Sequence, residues 1–300
     1  MNDEGKRPLA AFLAVSFGGS IALSLAVAFG APPRAFAPVA MLVPGLAVLV
    51  VRMLYGARVP DAGWSRFPLR WMPVALLALP IAVHAIALPG MFLFEGRLPW
   101  AEWLFPRDDG LIHVPSEWGW GVLTPAGLAR RMAINAAAGL LVVSVFAFFE
   151  EIGWRAWMLP RLAARFGERG GVLASAAIWA AWHVPYALSG LQQVENIAPV
   201  TLAVVQVCGQ LGAGMFLAWL FMRTRSIWAV TLAHGTLNNW GQYAFKYMRS
   251  GGEHDAALLS LVSAALLAMG AGVIAYPRRR RPHQPPPAAA ESGRSPVRDN

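Results

Sequence analysis

An all-α bundle of membrane-spanning helices, about eight of them, is the fold class this sequence predicts, and three observations carry it. The 300 residues are 57% hydrophobic and only 14% charged, with a mean hydropathy of +0.48, whereas a soluble domain usually carries about a quarter charged residues. Apolar runs long enough to cross about 30 Å of hydrocarbon recur along the chain. The charges between those runs alternate, with arginines gathered in every second connection.

The runs lie at roughly 8–30, 35–52, 71–94, 131–158, 171–190, 197–222, 226–246 and 256–276. The first follows Lys6 and Arg7, is longer than a signal-peptide core and lacks a convincing cleavage site, so it reads as a retained helix. Arg52, Arg58, Arg66 and Arg70 separate the second run from the third, and Arg161, Arg165 and Arg169 separate the fourth from the fifth. Arg223 and Arg225 lie between the sixth and seventh, and Arg278 to Arg281 follow the eighth. The intervening loops are acid-balanced, as in Glu95, Arg97, Glu102, Arg107, Asp108, Asp109 and Glu117. Lys and Arg accumulate on the cytoplasmic side, so both termini are expected there, in a multi-pass protein of the inner or plasma membrane. The net charge of +9 is then this orientation signal plus a basic tail against anionic lipid, and calls for no nucleic acid.

Residues 1–276 form one transmembrane domain with a chemical core at about 130–245, and 277–300 (including RRRRPHQPPPAAA) form a basic, Pro-rich tail of disordered composition. The 95–127 connection, with Trp100, Trp103, Trp118 and Trp120, reads as an aromatic anchor at the headgroup boundary, with a lid as the alternative. The one cysteine, Cys208, falls inside the sixth run, where it packs and can form no internal disulfide. Nothing in the sequence fixes an oligomeric state.

Glu150 and Glu151 stand out because they end an uncharged run from Met132 to Phe149. A charge at membrane depth costs at least about 2.5 kcal/mol and persists when the protein uses it. Arg155, four residues past Glu151, neutralises it from one turn away, which leaves Glu150 without a local partner. Later runs add His183, then His234 with Asn238. Counting residues from Arg161, Gly171 and Arg225 at 1.5 Å each sets Glu150, His183 and His234 about 13–18 Å from the cytoplasmic edge, in one layer opening to the cytoplasmic half.

These residue types suit hydrolysis of an acyl bond. A carboxylate and an imidazole hold and deprotonate a water, while a second imidazole and an amide stabilise the oxyanion that follows. The i,i+4 spacings of Trp179 with His183 and of His234 with Asn238 put each pair on one helical face. Pro185 is placed to kink the fifth helix and free backbone carbonyls.

EEIGWR at Glu150 to Arg155, WAAWH at Trp179 to His183 and HGTLN at His234 to Asn238 resemble the motifs of the CAAX-protease and bacteriocin-processing (Abi) family of intramembrane endopeptidases. The resemblance covers roughly residues 130–245. It implies that Glu150 and His183 activate the water, that His234 and Asn238 form the oxyanion site, and that Glu151 and Arg155 are supporting residues. It also implies a peptide or protein substrate at the membrane, CAAX-type C-terminal tails included, cut near the cytoplasmic face. Many relatives have Phe where this chain has Trp179, a difference expected to be harmless. The family is described as metalloproteases, and a metal-free glutamate mechanism has also been argued for it. Glu150, His183 and His234 would supply three zinc ligands and leave a position for water. Against zinc, no HExxH pair sets two imidazoles on one helix, and Asn238 suits an oxyanion better than a metal.

Other chemistries fit less well. Every aspartate falls outside the runs, which speaks against an aspartyl dyad, and Ser189 of the ALSG stretch sits at the outer end of the fifth run, far from His234. His84, Gln206, Gln210, Asn135, Ser144 and Asn239 read as helix-to-helix hydrogen-bonding groups. Glu151 with Arg155 reads as a structural ion pair, because Arg does not give up its proton. The rival classes are an ion- or proton-coupled transporter, which would show two symmetric halves, and a non-catalytic scaffold of the same fold.

Overall fold

The computed structural model describes residues 3–58, 61–96, 105–106, 108–114, 121–189, 198–247 and 254–275. Trp100, Trp103, Trp118 and Trp120 and the 277–300 tail lie outside the described residues. The chain is an all-α, multi-pass bundle. Helices α1 (Asp3–Ala28), α2 (Pro33–Tyr55) and α3 (Met72–Glu95) come first. A small antiparallel sheet follows, β1 (Phe105–Pro106), β2 (Ile112–Val114) and β3 (Gly121–Leu123), in a connection where the sequence suggests only an anchor or a lid.

The chain then runs through α4 (Pro125–Ile134), a π-helical stretch at Asn135–Gly139, α5 (Leu140–Glu151), a second π stretch at Ile152–Met158, α6 (Leu159–Trp182) and α7 (Val184–Leu188). Beyond these lie α8 (Pro199–Thr224), α9 (Ile227–Asn238), α10 (Tyr243–Tyr247) and α11 (Asp255–Ala275). Among the described residues, six stretches are long and apolar enough to cross a membrane.

Two of the expected boundaries move. The fourth and fifth runs belong to one helical stretch, Pro125–Leu188, folded back on itself at Gly167. Gly167 has φ 72° and ψ 173°, a backbone that an L side chain rarely adopts. A Cβ added at Gly171 would collide with the backbone of Ala163, so the arms touch immediately beside the turn. The expected loop at 159–170 is therefore the tip of a helical hairpin. The turn lies 17 residues after Glu150 and 16 before His183, about 24–26 Å along either arm, deeper than the expected 13–18 Å.

The seventh run also differs. α9 has 12 residues, about 18 Å and too short to span. It stops at Asn239, and a 3₁₀ turn at Trp240–Gln242 leads into α10. The stop is anchored on the first π stretch: Asn239 Nδ2 donates to the Asn135 carbonyl at 3.1 Å and Trp240 Nε1 to the Ala136 carbonyl at 2.8 Å. A π turn loosens the local i→i−4 ladder, and here these carbonyls accept side-chain bonds from across the bundle. The start of α9 is fixed as firmly. Ile227 N–H donates to Ala62 O at 2.9 Å, and the Ser226 hydroxyl donates to Arg66 O at 2.6 Å.

Aromatic rings fill the core close to Glu150 and Glu151 in the chain. Phe12 of α1 stacks on Trp157 at 4.8 Å and meets Trp154 edge-on at 5.3 Å, and all three are fully buried. Trp182 Nε1 donates to Ser16 O at 2.9 Å, and Ser20 Oγ donates back to Trp182 O at 3.0 Å. α1 and α2 are thus packed into the half of the molecule that carries the candidate site.

Candidate active site

α5 delivers Glu150 and Glu151 at its last turn, α6 delivers Trp179 with His183 just past its end, and α9 delivers His234 and Asn238. Glycines within two of the three sequence motifs allow these helices to approach. A Cβ at Gly153 would lie 2.6 Å from Pro44 of α2, and one at Gly235 would collide with Ser144 Oγ of α5. Neither glycine stands out in the sequence, where a small residue in an apolar run carries no signal of its own.

Glu150, His183, His234 and Asn238 all line one cavity of about 400 Å³. The four residues picked out on separate helices are therefore brought together. Glu150 is 2% exposed, and its Oε2 accepts a hydrogen bond from Trp179 Nε1 at 2.9 Å. His183 Nδ1 lies 2.8 Å from the Trp179 carbonyl. A carbonyl only accepts, so Nδ1 carries the proton and Nε2 keeps its lone pair.

His234 Nδ1 lies 2.8 Å from Glu151 Oε1, the oxygen that also accepts from Arg155 Nη1 at 2.8 Å. With Nδ1–H directed at this carboxylate, His234 donates an N–H from Nε2 only when the ring carries both protons. Glu151 and Arg155 are fully buried. The ion pair expected between them is present, and it has a further task, holding the His234 ring in one orientation.

Trp179 is the hub. Its ring meets His183 at 4.7 Å and His234 at 5.5 Å, both edge-on, and the Arg155 guanidinium lies 4.7 Å over it. A Phe at this position, having no N–H, could not make the hydrogen bond that Glu150 accepts here.

Other expectations fare variously. His84 is a helix-to-helix group, its Nδ1–H bonded to Pro80 O at 2.8 Å and its Nε2 accepting from Ala244 N at 3.3 Å. Ser189 donates to Tyr186 O and lies outside the cavity lining. Gln210 lines the cavity, as do Ser20, Ser24, Tyr186 and Gln242, which nothing in the sequence marks out. Among the described residues no group of three or more His, Cys, Asp or Glu is arranged to hold a metal ion.

From the level of Glu150 and His183 the cavity lining extends to Ser24 of α1, Met41 of α2 and Gln242 beyond α9.

Fold and site together define a class: a multi-pass membrane protein with a buried carboxylate, a buried imidazole and a half-buried one around a cavity inside the bundle. Residues 132–240 match the family described as Rce1-like, type II CAAX prenyl endopeptidases, a segment that contains every one of those groups. Over that segment the chain is similar to membrane-embedded proteases that take a peptide substrate in a lipid bilayer. No curated protein shows a significant match to the chain.

Proposed function

We propose that this protein is an intramembrane endopeptidase in which Glu150 and His183 activate a water for attack on a peptide carbonyl. The observation that supports the reading best is that four residues chosen for their chemistry line a single cavity although they come from three separate helices. Glu150 takes the proton of the water, assisted by the unprotonated Nε2 of His183, and the tetrahedral oxyanion is met by Asn238 and by His234 in its doubly protonated form. Glu151 and Arg155 hold His234 in register. No step of this reading is routed through a metal ion. A cavity of about 400 Å³ suits a few residues of extended chain, within the usual range of about 300–1,000 Å³ for ligand sites.

Substrates are membrane-tethered peptides, C-terminal CAAX-type tails among them. The arginine-bearing end, with both termini, faces the cytoplasm. The transporter reading draws less support, because the buried ionisable groups of the site, Glu150, Glu151, Arg155 and His234, all come from the second half of the chain rather than from two symmetric halves. The test is cleavage of a fluorogenic peptide panel, with and without a C-terminal lipid, by purified protein in liposomes. Glu150→Gln and His183→Ala should abolish turnover while the protein stays folded, and full activity in either variant would sink the mechanism. A chelator-treated sample should keep its activity. Loss on chelation with recovery on adding zinc would replace the glutamate mechanism by a metal one.

A further inference from the structure

At the end of the bundle marked by the Gly167 turn, a second cavity of about 370 Å³ lies between that turn, the last turns of α8 and the end of α11. It shares no lining residue with the catalytic cavity. Trp219 and Arg223, its side chains from α8, lie nine and thirteen residues past Gln210 of the catalytic cavity, about 14–20 Å along the helix. Three ends meet here: the hairpin tip, Thr224 of α8 and Ala275 of α11. Both α8 and α11 are long and apolar enough to cross a membrane, so their shared end marks the level of the lipid headgroups.

The lining has two kinds of surface. Phe166, Val172, Val273 and Ile274 make one part apolar, and Phe166 is 52% exposed, so this wall reaches the outside of the bundle. The polar part comes from Arg169, Trp219 and Arg223. The Arg223 guanidinium lies 5.7 Å from the centre of the Trp219 ring, which holds the cation beside the indole. Trp219 Nε1 and Arg223 Nε are both shielded from solvent and have no hydrogen-bond partner among the described residues. Buried donors without a partner are costly. The indole N–H groups of Trp154 and Trp157 are also unpartnered there, but they sit in the packed core, whereas Trp219 and Arg223 line a space that a ligand can fill. Among the described lining residues Glu168 is the one acid, set against the guanidinium groups of Arg169 and Arg223, so the lining is net positive. The hairpin tip adds room, since a Cβ at Gly167 would meet nothing within 4 Å.

We infer that this cavity binds the phosphate group of an anionic phospholipid, with Arg169, Arg223 and the Trp219 N–H as donors and the start of an acyl chain against Val172, Val273 and Ile274. Guanidinium and phosphate form charge-assisted, often bidentate, hydrogen bonds, and phosphate oxygens satisfy both unpartnered donors, which a purely apolar chain leaves unpaired. Free phosphate would satisfy the donors equally and leave the apolar part of the lining unfilled. Basic pockets between helices at headgroup depth are suited to anionic lipid. A lipid seated here touches α6, α8 and α11 together, and so ties the hairpin that carries Glu150 and His183 to its neighbours.

The test uses the full-length protein purified in detergent. Dioleoyl phosphatidylglycerol, dioleoyl phosphatidylcholine and inorganic phosphate are titrated separately, with retention of lipid read by native mass spectrometry and stabilisation by thermal unfolding. Phosphatidylglycerol should be retained and should raise the unfolding temperature as its concentration rises, whereas the other two should need concentrations at least about tenfold higher. Arg223→Gln and Trp219→Phe should each weaken phosphatidylglycerol binding by about tenfold or more, as expected for loss of a hydrogen bond to a charged group. Arg169→Gln changes an exposed position, so it tests the same contact in a chain whose fold is not at risk. Every variant is compared with its own lipid-free baseline, which removes any general loss of stability. An equal shift with inorganic phosphate assigns the site to the free anion and overturns the lipid. Equal binding of phosphatidylcholine overturns the selection for negative charge. Failure to retain phosphatidylglycerol, or retention unchanged in all three variants, overturns the site itself. None of these readouts needs turnover, so the result stands apart from the protease reading.

Discussion

Arg155→Met tests the electrostatic core of the site. Arg155 and Glu151 are fully buried, joined at 2.8 Å, and Glu151 Oε1 also accepts from His234. Met fills nearly the same space, so the loss is chiefly of the positive charge, and Glu151 is left as an uncompensated anion beside Glu150. Removing one partner of a buried pair costs about 3–5 kcal/mol. At about 2–4 °C per kcal/mol for a chain of this size, thermal unfolding in detergent should fall by about 6–20 °C. Glu151→Gln alone leaves Arg155 unpaired and should be destabilised in turn. The double variant, Glu151→Gln with Arg155→Met, removes both charges, keeps an amide oxygen for His234 Nδ1–H and should recover most of the stability, while losing activity because the imidazole is held less firmly. A drop of under about 2 °C in Arg155→Met, or a double variant no more stable than the single one, would show that the pair carries no such electrostatic weight.

Trp179→Phe removes the N–H donor to Glu150. A hydrogen bond to a charged group is worth about 1.5–3 kcal/mol, so kcat/KM should fall by about 10- to 100-fold, and unchanged kcat/KM would show that the indole N–H is dispensable. Gly235→Ala drives a methyl into Ser144 Oγ. Overpacking of that kind costs about 1–3 kcal/mol, read as a lower unfolding temperature that Ser144→Ala should partly restore. Gln210→Leu, with its polar head replaced at similar volume, should raise KM more than it lowers kcat on peptide substrates.

The site was legible in the sequence wherever a residue type was out of place. Glu150, Glu151, Arg155, His183 and His234 are costly in hydrocarbon, so each announces itself against an apolar run, and their similar depth groups them without any knowledge of which side chains touch. The apolar character of the chain was legible for the same reason, since hydropathy is a property of a segment taken alone. Glu150 and Trp179 are 29 residues apart, and no local pattern says that an indole N–H meets a carboxylate. Gly153 and Gly235 matter through what lies opposite them, on other helices. A reversal between the fourth and fifth runs was expected, but its tight tip at Gly167 was not legible, because a helical hairpin has the same composition as two helices and a loop.

Residue types and their spacing were enough to give the class of solvent and the identity of the ionisable groups, because burial in lipid penalises charge residue by residue. Which carboxylate oxygen each imidazole faces, how far the hairpin extends and towards which end of the bundle the cavity runs came only from the packed helices. Those are relations between helices, set by close packing at small residues and by hydrogen bonds between segments far apart in the chain, and a one-dimensional pattern does not encode them.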